Sequence, residues 1–370
     1  MTDFVPGPAG VSVETEIAEP GGDDGTVRYR GVDLTDLVGR VSFGHVWGLL
    51  VEDRFNPGLP PAEPFPLQVR TGDVRVDVQS ALAQLAPVWG FRSLLDIDAG
   101  RAREDLARAS VMALSFVAQA ARGPDLPRVP QREIDRASTI VQRFMIRWRG
   151  EPDPRHVEAV DIYWITTAEQ GADASAMTAR MIASTGADVA ACLSGAVGAI
   201  SGPLQTGAPH RVLRLVEAAE RGEDATALVR GALDRDGRIA GFRLGEGGTE
   251  SPRVGVLREA ARRLGAPRHE VAVAVEKAAL AELRDRRQDR EAVTGVEFWA
   301  AVLLDFAEVP ARLFTPMLAC ARTAGWAAHV LEQMHHGPQV RHGTRYLGRG
   351  PRRPEDVEGW QAMLAEGQVR

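Results

Sequence analysis

At 370 residues the chain is long enough for two or three domain-sized units and a large core. Its 44% hydrophobic and 25% charged residues place it with ordinary soluble globular proteins rather than disordered or membrane ones. A formal net charge of −6 argues against nucleic acid as a partner, and no apolar run approaches the roughly 18 residues that a membrane span needs. Lys277 is the only lysine, so arginine supplies almost all the positive charge. Cys192 and Cys320 have no paired spacing, which points to neither a disulfide framework nor a zinc site. The amino terminus lacks the basic and apolar regions of a signal peptide, and the cytoplasm is the expected location.

In chain order, Val11 to Ile17 alternates around β-branched positions, and Gly-Gly-Asp-Asp-Gly at 21–25 signals a turn. Thr26 to Arg30 is then the returning strand of a hairpin. Phe43 to Val51 reads as a short apolar helix, and Asn56 to Gln68, with five prolines, as an extended loop. From Val74 the period turns helical: Val76, Val78, Leu82, Leu85 and Ala86 approximate one face, and Ala102 to Arg122 and Arg132 to Arg149 continue it. Ala174 to Ile200 is rich in small residues with hardly any charge, which predicts helices packed closely against another backbone, in the core or at a subunit contact. His210 to Leu264 is more charged and glycine-punctuated, and Thr294 to His336 returns to a dense apolar pattern. The whole reads as all-α with a minor β element at the amino end.

Several stretches carry more than periodicity. Tyr29-Arg30-Gly31-Val32-Asp33-Leu34, Ala183-Ser184-Thr185-Gly186-Ala187-Asp188 leading to Gly202-Pro203-Leu204, Val296-Glu297-Phe298-Trp299, and Ala321-Arg322-Thr323-Ala324-Gly325-Trp326-Ala327-Ala328-His329 occur in an ordered set. Together they resemble the citrate synthase family, most closely its short actinobacterial members. The resemblance implies an all-α homodimer with a large helical domain, here 1–211 and 308–370. It also implies a small domain, here 212–307, and an active site in the cleft between the two. It implies no metal and no cofactor, with a coenzyme A thioester as substrate.

The family's reaction removes a proton from a thioester's methyl group and adds the enol to a ketone. It therefore needs a carboxylate base, a neutral donor for the enolate oxygen, a group that polarises the ketone, and arginine forks for the ketone's two carboxylates. By resemblance Glu297 occupies the base position; the local alternative is a glutamate placed favourably in the first turn of a helix. The enolate donor is altered, because the family's GPLHGG reads Gly-Pro-Leu-Gln-Thr-Gly here. Gln205 can donate a hydrogen bond but cannot deliver a proton. In the earlier histidine motif Gln170 replaces the histidine and Asp173 the asparagine, adding a negative charge beside a dicarboxylate site; Asp173 also reads as a helix N-cap.

The third loop, Gly241 to Arg253, departs most from the family's GFGHRxYxxxDPR. Leu244 falls on the ketone-polarising histidine, Gly245 on a carboxylate-binding arginine, and Ser251 on the aspartate. Arg243 is the loop's remaining candidate for a carboxylate, and its Gly-Glu-Gly-Gly run is read as a flexible loop. Arg322 and Arg341 fall on two further substrate arginines, the latter reaching the partner subunit's site in the family dimer; packing beside Trp326 is the alternative for Arg322. His335, His336 and His342 read as an exposed cluster after a helix end, and His210 as a helix residue. Three functions follow: a repurposed enzyme for an acyl thioester or another small carboxylic acid, a non-catalytic binding protein, or a weak citrate or 2-methylcitrate synthase. Losing an acid, a polarising histidine and an arginine costs many orders of magnitude in rate, which counts against the third.

Overall fold

The structure, a computed structural model, describes residues 13–19, 25–56, 58–202, 208–245, 250–286, 291–337, 340 and 347–367. The chain divides into two compact units, Met1–Pro338 and Gln339–Arg370.

The first unit opens on a small antiparallel sheet in the order β1 (Ala18–Glu19), β2 (Arg28–Tyr29), β3 (Val32–Asp33). Ala18 pairs with Tyr29 and Tyr29 with Val32. The expected hairpin is therefore present, but its first strand lies after Ile17, and 13–17 carry no strand. Ile17 instead closes the ladder by accepting from the Arg30 amide and burying its side chain completely.

Helices follow: α1 (Phe43–Glu52), α2 (Val74–Trp89), α3 (Ala99–Arg122), α4 (Ile140–Arg149), α5 (Pro154–Thr167), α6 (Ala174–Ala183) and α7 (Val189–Ile200). Aspartate starts most of them. Asp73, Asp98, Asp153, Asp173 and Asp188 each accept backbone N–H groups that the first helical turn leaves unpaired. The 132–149 stretch is broken rather than continuous. A single turn at Gln131–Ile134 ends, and Thr139 restarts the helix through a reciprocal capping box with Gln142.

Beyond these come α8 (Pro209–Glu220), α9 (Ala225–Asp236), β4 (Phe242–Gly245), α10 (Pro252–Arg263), α11 (His269–Arg286), β5 (Glu291–Thr294), α12 (Val296–Phe306) and α13 (Phe314–His336). The third loop begins as a strand: β4 runs antiparallel to β5, with Phe242 opposite Thr294 and Arg243 opposite Val293, while the run expected to be flexible lies beyond Gly245, outside the described residues. Two segments fifty residues apart complete each other's backbone hydrogen bonds, which no local pattern announces.

Helix α13 is buried on nearly every side, and its small and apolar residues are joined there by the buried polar side chains Arg322, Thr323, His329 and Gln333. It packs against α1, α3, α5, α6 and α7. The small residues of α7 let it lie close between α2 and α6: a Cβ at Gly198 would meet Gln79 Nε2 at 2.7 Å, and one at Gly195 would collide with Ile182 Cδ1. A smaller cluster of Val229, Leu233, Ile239, Ala279 and Leu283 joins α9 to α11. Cys192 and Cys320 are free, buried thiols, and burial pushes the Cys192 thiol up to about 12. Among the described residues no helix is long and apolar enough to cross a membrane. The second unit contains a 3-10 turn at Pro354–Asp356 and a last helix, α14 (Trp360–Gly367).

Candidate active site

Arg322, Gly325, Trp326 and His329 are spaced i, i+3, i+4 and i+7 along α13, so they share one face. That face is bonded residue by residue to the 168–175 segment. Arg322, 2% exposed, places Nη1 2.8 Å from Asp173 Oδ2 and donates from Nη2 to Gln170 Oε1. The other oxygen of Asp173 accepts the Ser175 and Ala176 amides at 2.8 and 3.0 Å, so one carboxylate both caps α6 and pairs with a buried guanidinium. Burial pushes this carboxyl up, but Arg322 and the helix amides more than offset it and hold it below its ordinary value. The Gly325 N–H donates to Ala168 O at 3.3 Å, and Trp326 Nε1 donates to Ser175 Oγ at 2.9 Å.

His329 Nδ1 lies 3.0 Å from Arg180 Nη1, which can only donate, so this nitrogen accepts and Nε2 carries the proton, 3.3 Å from Glu169 Oε1. Arg180 in turn pairs with Glu332.

The same segment is gripped from its other side. The buried Tyr29 hydroxyl sits 3.1 and 3.2 Å from the Ile165 and Thr166 carbonyls at the end of α5. Arg253 donates from Nε to Thr166 O at 3.1 Å and from Nη2 to Glu169 O at 2.7 Å. Gln170 is thus carried on a loop that two side chains, from β2 and α10, hold by its backbone.

Glu297 stands in the first turn of α12, with Oε2 3.2 Å from Arg243 Nη2 on β4. Gly295 leaves room for it, since a Cβ there would sit 2.5 Å from Glu297 Oε2. Glu297, Arg243, Gln170, Thr167, Tyr163 and Thr315 line a small cavity of about 60 Å³ whose remaining walls include Ala300, Leu304 and Leu318. Burial raises the Tyr163 hydroxyl's pKa. Glu297 also borders a larger cleft of about 720 Å³, whose charged lining includes Arg211, Arg214, Arg235, Arg238 and Asp236. His210 lies on that cleft, its pKa lowered by burial and by Arg214 and Arg211.

Residues 7–343 match the family model described as citrate synthase, C-terminal domain. The chain belongs to the citrate synthase family. A Mycobacterium tuberculosis protein named "Putative citrate synthase 2" is 62% identical over 364 residues, 98% of each chain. The citrate synthase of Synechocystis is 29% identical over 94% of this chain and 92% of its own. A Thermoplasma acidophilum citrate synthase, solved in a ternary complex with carboxymethyl coenzyme A and oxaloacetate, shares the fold: its TM-score is 0.75 at 18% identity, over 93% of this chain and 96% of that one.

Of the residues singled out in the sequence, the structure gathers Glu297, Gln170 and Arg243 around one cavity and puts Arg322 and Asp173 in contact beneath Gln170. Gln205, Arg341 and His342 lie outside the described residues. His335 bonds back to Leu331 O, and among the described residues no group of three or more His, Cys, Asp or Glu could hold a metal. The sequence reading missed Tyr163, Thr167 and the arginines of the large cleft. Tyr163 and Thr167 at i, i+4 on the apolar α5, and Arg211 and Arg214 at i, i+3 on α8, were the available signals.

Proposed function

We propose that the protein acts on a coenzyme A thioester at Glu297 and has given up the family's dicarboxylate ketone as the thioester's partner. The observation that carries this is the Asp173–Arg322 pair. Arg322 falls on a family arginine for a substrate carboxylate, but its Nη1 already faces the chain's own Asp173 carboxylate at 2.8 Å and its Nη2 donates to Gln170, while Nε and Nη1 make no hydrogen bond among the described residues. A second carboxylate brought within about 4 Å of Asp173 costs on the order of 4 kcal/mol at an effective dielectric of about 20. The arginine-rich cleft beside Glu297 supports a phosphate-bearing thioester carrier, since guanidinium forks match phosphate oxygens. The Thermoplasma relative's complex with a coenzyme A analogue supports the same reading.

In this reading Glu297 takes a proton from the carbon next to the thioester carbonyl, and Gln205 donates a hydrogen bond to the enolate oxygen without passing a proton. The enolate carbon bonds to the ketone or aldehyde carbon of the acceptor, an oxo acid without oxaloacetate's two carboxylates, whose C=O π bond opens to an alkoxide that takes a proton from water. Water then cleaves the thioester, releasing the carrier thiol. The 212–307 segment closes the cleft as a small domain, and the protein works in the cytoplasm as a homodimer with Arg341 reaching the partner's site.

The test is solvent deuterium exchange into acetyl-CoA, alongside thiol release with oxaloacetate. Exchange that falls about 10²- to 10⁴-fold in Glu297→Gln, without citrate formation, supports the proposal. Rapid citrate formation would restore an ordinary citrate or 2-methylcitrate synthase. Coenzyme A binding with no exchange would favour a non-catalytic binding protein, a reading that the Arg243–Glu297 contact also supports because it occupies the base.

A further inference from the structure

A second basic pocket lies away from Glu297 and shares no lining residue with either cavity beside it. It measures about 220 Å³ and is formed by the loop before α2, the end of α3, the segment after it, and α4. Its charged lining has one sign: Arg70, Arg122, Arg128 and Arg147, with no carboxylate. Nearby arginines on the same helices are paired, Arg103 with Glu52, Arg108 with Glu63 and Arg149 with Glu308. Among the described residues none of the four pocket arginines has a carboxylate oxygen within 4.0 Å.

Their positions are set by neutral partners instead. Arg122 donates to the carbonyls of Pro127 and Trp148 at 2.6 and 2.9 Å, Arg70 to that of Gln119 at 3.3 Å, and Arg147 to Gln131 Oε1 at 3.4 Å. Arg147 is half-buried, and burial lowers its pKa while Asp135 opposes the shift. Asp135 is itself engaged by Gln131 Nε2 at 2.8 Å. Bringing four guanidiniums to one pocket whose lining holds no carboxylate is unfavourable, and an anion there would relieve the repulsion. In a chain of net charge −6, such a concentration of unpaired cations is a local feature, not the general balance.

We propose that this pocket binds a phosphate-bearing small molecule. Phosphate oxygens match guanidinium forks, and about 220 Å³ is about seven water-sized groups at roughly 30 Å³ each, near the size of a pyrophosphate. Phe65, Leu126 and Val129 form an apolar wall beside the arginines, and Leu126 is 55% exposed at its edge. That wall suits the organic part of a nucleotide better than a bare inorganic ion.

The experiment is calorimetric titration of the full chain with inorganic pyrophosphate and with ATP, at low and high salt. The variants are Arg128→Gln, Arg128→Gln/Arg147→Gln, and Arg211→Gln/Arg214→Gln in the other basic cleft. The proposal expects binding that weakens tenfold or more in both pocket variants, survives in the Arg211/Arg214 variant, and declines with salt. ATP binding tighter than pyrophosphate identifies the nucleotide as the source, and equal affinity the inorganic anion. Arg128 is exposed, so its single variant tests the pocket even if the double variant fails to fold. No binding at millimolar ligand, or binding lost only in the Arg211/Arg214 variant, overturns the proposal.

Discussion

Asp173→Asn separates the structural and the functional consequences of the Asp173–Arg322 ion pair. In the native chain one carboxylate oxygen caps α6 and the other faces Arg322 at 2.8 Å, where Arg322 is 2% exposed and Asp173's side chain 12%. Asparagine has a single oxygen, so it can keep the cap or face the guanidinium, and its amide group then opposes another donor. Removing one partner of a buried pair costs about 3–5 kcal/mol, and the Gln170 oxygen that remains on Arg322 puts the expected loss near 3 kcal/mol.

The pH dependence has a definite sign. The folded carboxyl lies below its unfolded value of about 3.9, so its contribution is full above that pH and disappears as pH falls through the folded value. Asp173→Asn should abolish that acid-side loss. It should also let oxaloacetate reach Arg322, with a gain of up to about 10³-fold in affinity if the roughly 4 kcal/mol repulsion is removed. Urea unfolding at pH 7 and at about pH 2.5, and at pH 7 with and without oxaloacetate, measures both effects. A variant as stable as the native chain, or a native chain that already binds oxaloacetate at micromolar concentration, would refute the reasoning.

Asp161 accepts the Phe43 amide at 2.9 Å, and burial pushes its carboxyl up to about 6. Because that value is raised, folding stability should fall by about 2–3 kcal/mol as pH rises from about 4 through 6. Asp161→Asn should remove the fall and be more stable than the native chain at pH 8 by chemical denaturation. Gly325→Ala places a Cβ 2.8 Å from Ala168 O and against Glu169, and should lower stability by about 1–3 kcal/mol in the same assay. Glu297→Gln should leave the fold intact while suppressing exchange into acetyl-CoA, as melting and exchange measured together would show.

Much of the scaffold was legible one segment at a time. The apolar helix from Phe43, the charge-poor helices within 174–200 and the buried helix from Phe314 follow from composition and periodicity. Those features are local because a cap, a small residue or an apolar stripe acts within a few residues of itself. The ordered motifs made the family recognisable for the same reason, each being a short run whose residue types survive intact. The tertiary structure decided what the motifs do. Tyr29 and Arg253, 224 positions apart in the chain, meet on the carbonyls at the end of α5, and Asp173 meets Arg322 across 149 positions. β4 pairs with a strand that no alternation predicted, and four arginines from four segments converge on one pocket. Each of these depends on the free energy of bringing distant groups out of water together, and that term has no period along the chain.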